Sequence, residues 1–150
     1  MTRQFGRGVL AAAFSLTLVV DAGAETVAQT VRKWGLIGPW SVDCSLKPDR
    51  DKGTVLAYEV VGDDRVVFRR NFGDGIDESE VVTAEVSADG MLNLRVFFPS
   101  LKQTRESGLM MQPDGSMRAM YNRNPKDEYT IKDGKFVASG TPTAALHKCL

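Results

Sequence analysis

Three Asp-Gly pairs, Asp89-Gly90, Asp114-Gly115 and Asp133-Gly134, each stand between two runs of alternating apolar and polar residues. That combination constrains the topology more than any other feature of the chain. Glycine accepts the positive φ of a tight hairpin, and alternation at period two turns one face of each flanking run toward a core. Runs joined in this way lie side by side and antiparallel. Gly62-Asp63-Asp64 supplies a fourth turn of the same kind. The shared chemistry is that of hairpin geometry, with no sequence repeat behind it.

The runs themselves are legible. Trp40, Val42, Cys44 and Leu46 alternate in the first, Leu56, Tyr58 and Val60 in the second, and Val66, Phe68 and Phe72 in the third. Val82, Ala84 and Val86 form a fourth, and Leu92, Leu94, Val96 and Phe98 a fifth. Segments 104–112, 116–122, 128–132 and 135–139 read as further strands. The pattern predicts an all-β, antiparallel up-and-down meander of eight or nine strands. Closing into a small barrel removes the exposed edges of such a sheet. Periodicity also fits a two-sheet sandwich. Before the meander, Val27, Val31 and Trp34 at i, i+4 and i+7 predict a short helix ended by Gly35, placed to cap one end of the barrel.

The first 24 residues read as an export signal. Arg3 and Arg7 precede the uncharged run Val9–Val20, and Ala22-Gly23-Ala24 supplies small residues around a cleavage point. That run is too short to cross a bilayer comfortably. A single domain is expected over 25–150, periplasmic or secreted. Of 19 basic and 19 acidic side chains, the leader removes Arg3, Arg7 and Asp21, leaving a formal charge of about −1. So balanced a surface gives no electrostatic reason to expect nucleic acid or anionic membrane as partner.

Export also bears on Cys44 and Cys149, the two cysteines of the chain. In an oxidising compartment they are expected to pair. The bond closes nearly the whole mature chain into one loop, worth about 4–5 kcal/mol in the chain-entropy account. A metal site built from Cys44, His147 and Cys149 is the rival, but it lacks a fourth ligand and needs free thiolates.

Gly38-Pro39-Trp40, opening the first strand behind a short helical lead-in, resembles the start of lipocalin and related calycin barrels. The resemblance implies that Trp40 closes the barrel floor, that a basic side chain near the C-terminus packs over it, and that the interior holds a small apolar ligand. Lys148 is the basic residue nearest in position. The chain also resembles uncharacterised exported bacterial proteins with G-x-W-x-x-x-C near the start and a terminal cysteine, which implies fold and compartment only.

Four residues are candidate ligand contacts: Tyr58, Phe68, Arg70 and Tyr121. Arg70 stands between Phe68 and Phe72 at period two, so alternation turns it to the apolar face, where a guanidinium could clamp a ligand carboxylate. Close to a strand end it can instead reach solvent from the rim, which is the preferred reading. Tyr58 and Tyr121 are read as inward-facing, in the core or as hydroxyl handles in a pocket. Asp74, Asp77, Glu78 and Glu80 match no twelve-residue calcium loop and read as a solvated acidic hairpin loop, with Asp49 and Asp51 equally solvated. Met110, Met111, Met117 and Met120 read as adaptable core filler.

No nucleophile elbow, zinc-protease helix or phosphate-cradling glycine loop is present in the sequence, and His147 stands four residues from its end. The expectation is a non-enzyme without cofactor or metal. Two functions follow. One is an exported lipocalin-like protein binding a small apolar or amphipathic ligand. The other is an envelope interaction module, inhibitor-like or an assembly factor, whose rim loops at 73–79 and 99–104 act on a partner while the barrel stays solid. The size of the interior separates them, since ligand pockets begin at roughly 300 Å³.

Overall fold

Trp40 sits where helix and sheet meet, 1% exposed, its indole donating to the Leu36 carbonyl oxygen at 2.7 Å. The computed structural model describes residues 23–150. The leader expected at 1–24 therefore lies outside the described residues, apart from its last two. Helix α1 (Val27–Trp34) starts at Thr26, whose side chain accepts from the Gln29 amide while the Gln29 side chain returns to the Thr26 amide. This reciprocal cap satisfies two free donors of the first turn. Gly35 ends the helix at φ 87°, a left-handed conformation that glycine adopts without steric cost.

Ten strands follow in one antiparallel sheet: β1 (Gly38–Ser41), β2 (Val55–Val61), β3 (Arg65–Asn71), β4 (Ile76–Val86), β5 (Leu92–Phe98), β6 (Gln103–Met111), β7 (Met117–Arg123), β8 (Tyr129–Lys132), β9 (Lys135–Phe136) and β10 (His147–Lys148). From β1 to β9 each strand pairs with the next, and β10 returns to lie beside β1. The expected meander is present, as one continuous sheet and with ten strands; a two-sheet sandwich is excluded. Gly90, Gly115 and Gly134 all have positive φ, as their hairpins require. Asp89 and Asp114 accept from the amides two residues on, and the hydroxyls of Ser87 and Ser116 hold both carboxyls below their ordinary range.

The sheet curls into a half-barrel with β9 and β10 as its edges, and the C-terminal tail crosses the gap between them. Lys135 bridges to Pro142, and Leu146 exchanges two backbone hydrogen bonds of 2.8 Å with Met117 on β7. Trp40 and Ser41 then pair with Lys148 and His147. Helix α1 packs on β4 and β3, and Trp34 Nε1 donates to the carbonyl of Gly90 in the β4–β5 turn at 2.9 Å. The core runs from Ala28, Val31 and Leu36 through Trp40 to Val66, Leu92, Leu94 and Met117.

Three expectations need correction. The first run is strand only as far as Ser41, because its hydroxyl accepts from the Asp43 amide and the Asp43 carboxylate from the Ser45 amide, folding the chain into a turn. Val42 and Leu46 are consequently exposed, and Cys44 shares no strand face with Trp40. In β4 the register shifts between Val81 and Thr83, so Ser79 and Val81 are buried while Val82 is exposed; Val86 keeps the register of Ala84, opposite Leu92, and is exposed as the last residue of the strand. Residues 76–80 belong to β4 rather than to a loop. Their carboxylates pair across the ladder: Asp77 with Arg70, Glu78 with Arg69, and Glu80 with Arg65.

The cysteines pair as expected, Cys44 with Cys149 across 105 residues of chain. The rival metal site thereby loses both thiolates. Cys149→Ser should lower stability by about 2–5 kcal/mol, Cys44→Ser by a similar amount, and the double variant by no more than either, since all remove the same bond. Chemical denaturation of the protein and its variants checks this, and two titratable thiols in the wild type would refute the pairing.

Candidate functional site

On three strands of the sheet the inward-facing residues change from apolar to polar in the direction away from α1, while on β5, which lies between β4 and β6, they stay apolar. On β3 they run Val66, Phe68, Arg70; on β4, Val81, Ser79, Asp77; on β6, Leu109, Ser107, Arg105. A core built only for stability has no need of this change, because each inward polar group must find a partner. The polar end borders a partly open cavity of about 200 Å³. Tyr58, Phe68, Phe98, Leu94 and Ile131 supply its apolar walls, and Arg70, Ser107 and Asn122 its polar ones.

Tyr58 and Phe68 stack with ring centroids 4.6 Å apart, and Phe98 meets Phe68 edge-on at 6.3 Å. Tyr58 is 5% exposed, and among the described residues its hydroxyl has no hydrogen-bond partner, yet no side-chain oxygen there is both sealed and unsatisfied. The hydroxyl therefore opens onto the cavity. Burial pushes its pKa well up, against the opposing pull of the Arg70 charge.

Arg70 is inward-facing, as alternation implied, and its carboxylate partner is the protein's own. Nε donates to Asp77 Oδ1 at 2.9 Å and Nη2 to Asp77 Oδ2, while the guanidinium lies 5.2 Å from the Phe98 ring centroid. Both members are about one-third exposed, so the pair stands at the mouth of the cavity. Tyr121 borders the cavity but does not face into it. Its ring lies across Gly108 on the outer surface, where a Cβ on that glycine would come within 2.2 Å of it, and its hydroxyl donates to Asn93 Oδ1 at 2.8 Å. The extra residue Met120, between Ala119 and Tyr121 and opposite the Gly108–Leu109 step, sets this direction. The methionines divide likewise: Met117 is buried, whereas Met110 and Met120 line an outer groove beside Tyr121.

Arg105, Asn122 and Ser107 were not singled out by sequence. Arg105 Nε donates to Asn122 Oδ1 at 2.7 Å and Nη2 to Thr130 Oγ1 at 3.2 Å, and Asn122 Nδ2 donates to Ser107 Oγ at 2.7 Å. The signal was available, since Arg105, Ser107 and Leu109 alternate in one run.

At the other end, Gly38 and Trp40 form the floor. Lys148 Nζ donates to the Gly35 carbonyl oxygen at 2.9 Å and lies 5.4 Å from the Trp40 ring centroid. Gly38, at φ 122°, has its missing Cβ direction occupied by the Lys148 stem, 3.0 Å from where that carbon would stand. Compared with known protein families, curated proteins and solved structures, the chain matches none.

Tyr58 yields a pH prediction. Its pKa is higher folded than unfolded, so its contribution to stability is whole below the ordinary tyrosine value of about 10 and is lost as pH rises through the folded value. Partial burial raises the Tyr121 phenol as well, so alkaline spectrophotometric titration should show Tyr58 ionising last, and Tyr58→Phe should remove the last component. A last component that instead disappears in Tyr121→Phe and survives in Tyr58→Phe would show that Tyr121 is the more deeply buried phenol.

Proposed function

We propose that the chain is an exported, lipocalin-like binding protein whose barrel interior takes a small amphipathic molecule. The single observation that carries this reading is the Tyr58 hydroxyl, buried, unpartnered among the described residues and open to a cavity. Phe68 and Phe98 fill the same wall without a hydroxyl, so Tyr58 adds a polar handle that faces the cavity. Further support comes from Lys148 over Trp40, the floor arrangement that the lipocalin resemblance implies. The disulfide and the leader pattern in residues 1–24 support export. Among the described residues no helix is long and apolar enough to cross a membrane.

At about 200 Å³ the cavity falls short of the roughly 300 Å³ at which drug-sized ligand pockets begin, so the reading is confined to a smaller molecule. About 200 Å³ holds about seven groups of water size, at about 30 Å³ each. A long acyl chain does not fit; a short chain or one ring does. The interaction-module reading has its own support at the same end, where Ile76 is 65% and Leu101 53% exposed. Protein isolated natively, denatured and extracted should release a small molecule detectable by mass spectrometry. Ala119→Phe, which adds a ring to the cavity wall, should empty it while the melting temperature holds within a few degrees. Failure to extract any compound, together with no response to short-chain alcohols, would transfer the case to the rim.

A further inference from the structure

We propose that the ligand of this cavity is an anion, a short-chain monocarboxylate in the simplest case, and that Arg105 rather than Arg70 receives its charged group. The proposal rests on the cavity-binding reading above and adds the ligand's charge and the residue that meets it. Two arginines face inward on the described strands, and they differ in one respect. Arg70 is already neutralised by Asp77 through two parallel hydrogen bonds. Arg105 makes no ion pair among the described residues, and its two hydrogen-bond partners, Asn122 and Thr130, are both uncharged.

A guanidinium has five N–H donors, and two are engaged here, leaving about three for a ligand. Asn122 fixes the Nε edge and is itself fixed by Ser107, so the fork is held by groups that lend no negative charge. Asp77, the inward carboxylate of β4, is taken up by Arg70. Arg50, at the same end, is likewise paired, with Asp74. Arg105 does not itself line the cavity but is bonded to Asn122, which does, and a part-buried, directed and uncompensated cation just outside that wall suits an amphiphile whose tail enters while its anion stays at the rim. Tyr58 and the rings of Phe68 and Phe98 line the space for the tail.

Amide chemical-shift titration of the mature protein at neutral pH, with hexanoate and with hexan-1-ol as probes, separates the two parts. Wild type should bind hexanoate about tenfold more tightly than the alcohol, the size expected of hydrogen bonds to a charged donor. Arg105→Gln should abolish that preference and leave hexanol binding unchanged, while the charge-neutral double variant Arg70→Gln/Asp77→Asn should retain it. Asn122→Asp, which sets a carboxylate against Arg105 without moving it, should abolish the preference too and serves if Arg105→Gln does not fold. Hexanol bound as well as hexanoate by wild type would overturn the anion site and leave the cavity reading standing. Preference surviving in both Arg105→Gln and Asn122→Asp would overturn the assignment to Arg105. Binding of neither probe would overturn both readings.

Discussion

The tail clamp holds the rest of the structure in place. An antiparallel sheet that curls without closing leaves two edges of unpaired backbone groups, and here β8, β9 and β10 are too short to meet in a ladder. The segment from Pro142 to Cys149 takes their place, bonded to Lys135 and Met117 on one side and to Trp40 and Ser41 on the other. A terminal segment held by a handful of backbone bonds frays readily. The Cys44–Cys149 bond prevents that, and Lys148 adds a cover over Trp40 and a tie to the helix C-cap at Gly35. Helix, floor and first strand thus share one fastening.

Most of the fold was legible, and the misses have local causes. Hairpin glycines and period-two alternation need no tertiary information, so the meander, its turns and the inward set Leu92, Leu94, Val96 and Phe98 could be read directly. The short helix was equally plain. What escaped were interruptions of the period. The apolar residues of 40–46 keep alternating after the backbone has turned at Ser41, because Ser41 and Asp43 bond locally where a ladder partner would be needed. The extra residue at Val82 reverses the facing of the apolar positions around it. Acidic residues 77–80 looked solvated because their partners, Arg65, Arg69 and Arg70, come from the neighbouring strand and no spacing rule pairs them.

The candidate site was half legible for the same reason. Tyr58, Phe68 and Arg70 lie on one face of a hairpin that the alternation already defined, and they do share the cavity. Tyr121 was misdirected by the extra residue Met120 between Ala119 and Tyr121, and its ring instead fills the space above Gly108, shielding backbone that a glycine leaves bare. The charge state of the two inward arginines lay beyond any reading of a single strand. It depends on which side chains the register sets opposite each: Asp77 across from Arg70, uncharged Asn122 and Thr130 beside Arg105.

Clamp and cavity are physically joined along the far wall. Thr143, in the same tail, donates from its hydroxyl to the Ala119 carbonyl oxygen at 2.8 Å and accepts at its own carbonyl from Arg118 Nε at 3.1 Å. Its amide donates to the Gly134 carbonyl oxygen at 2.9 Å. These bonds brace β7 and the β8–β9 turn, and it is β7 and β8 that supply Asn122 and Thr130 to Arg105. The opposite wall, β2 to β4, holds Arg70 and Asp77 through its own long ladders and has no such need of the tail. The two inward arginines therefore differ in support as well as in charge. Arg70 is fixed by an ion pair within one hairpin wall, whereas Arg105 is held by uncharged partners on β7 and on the short β8, which the disulfide-anchored tail braces.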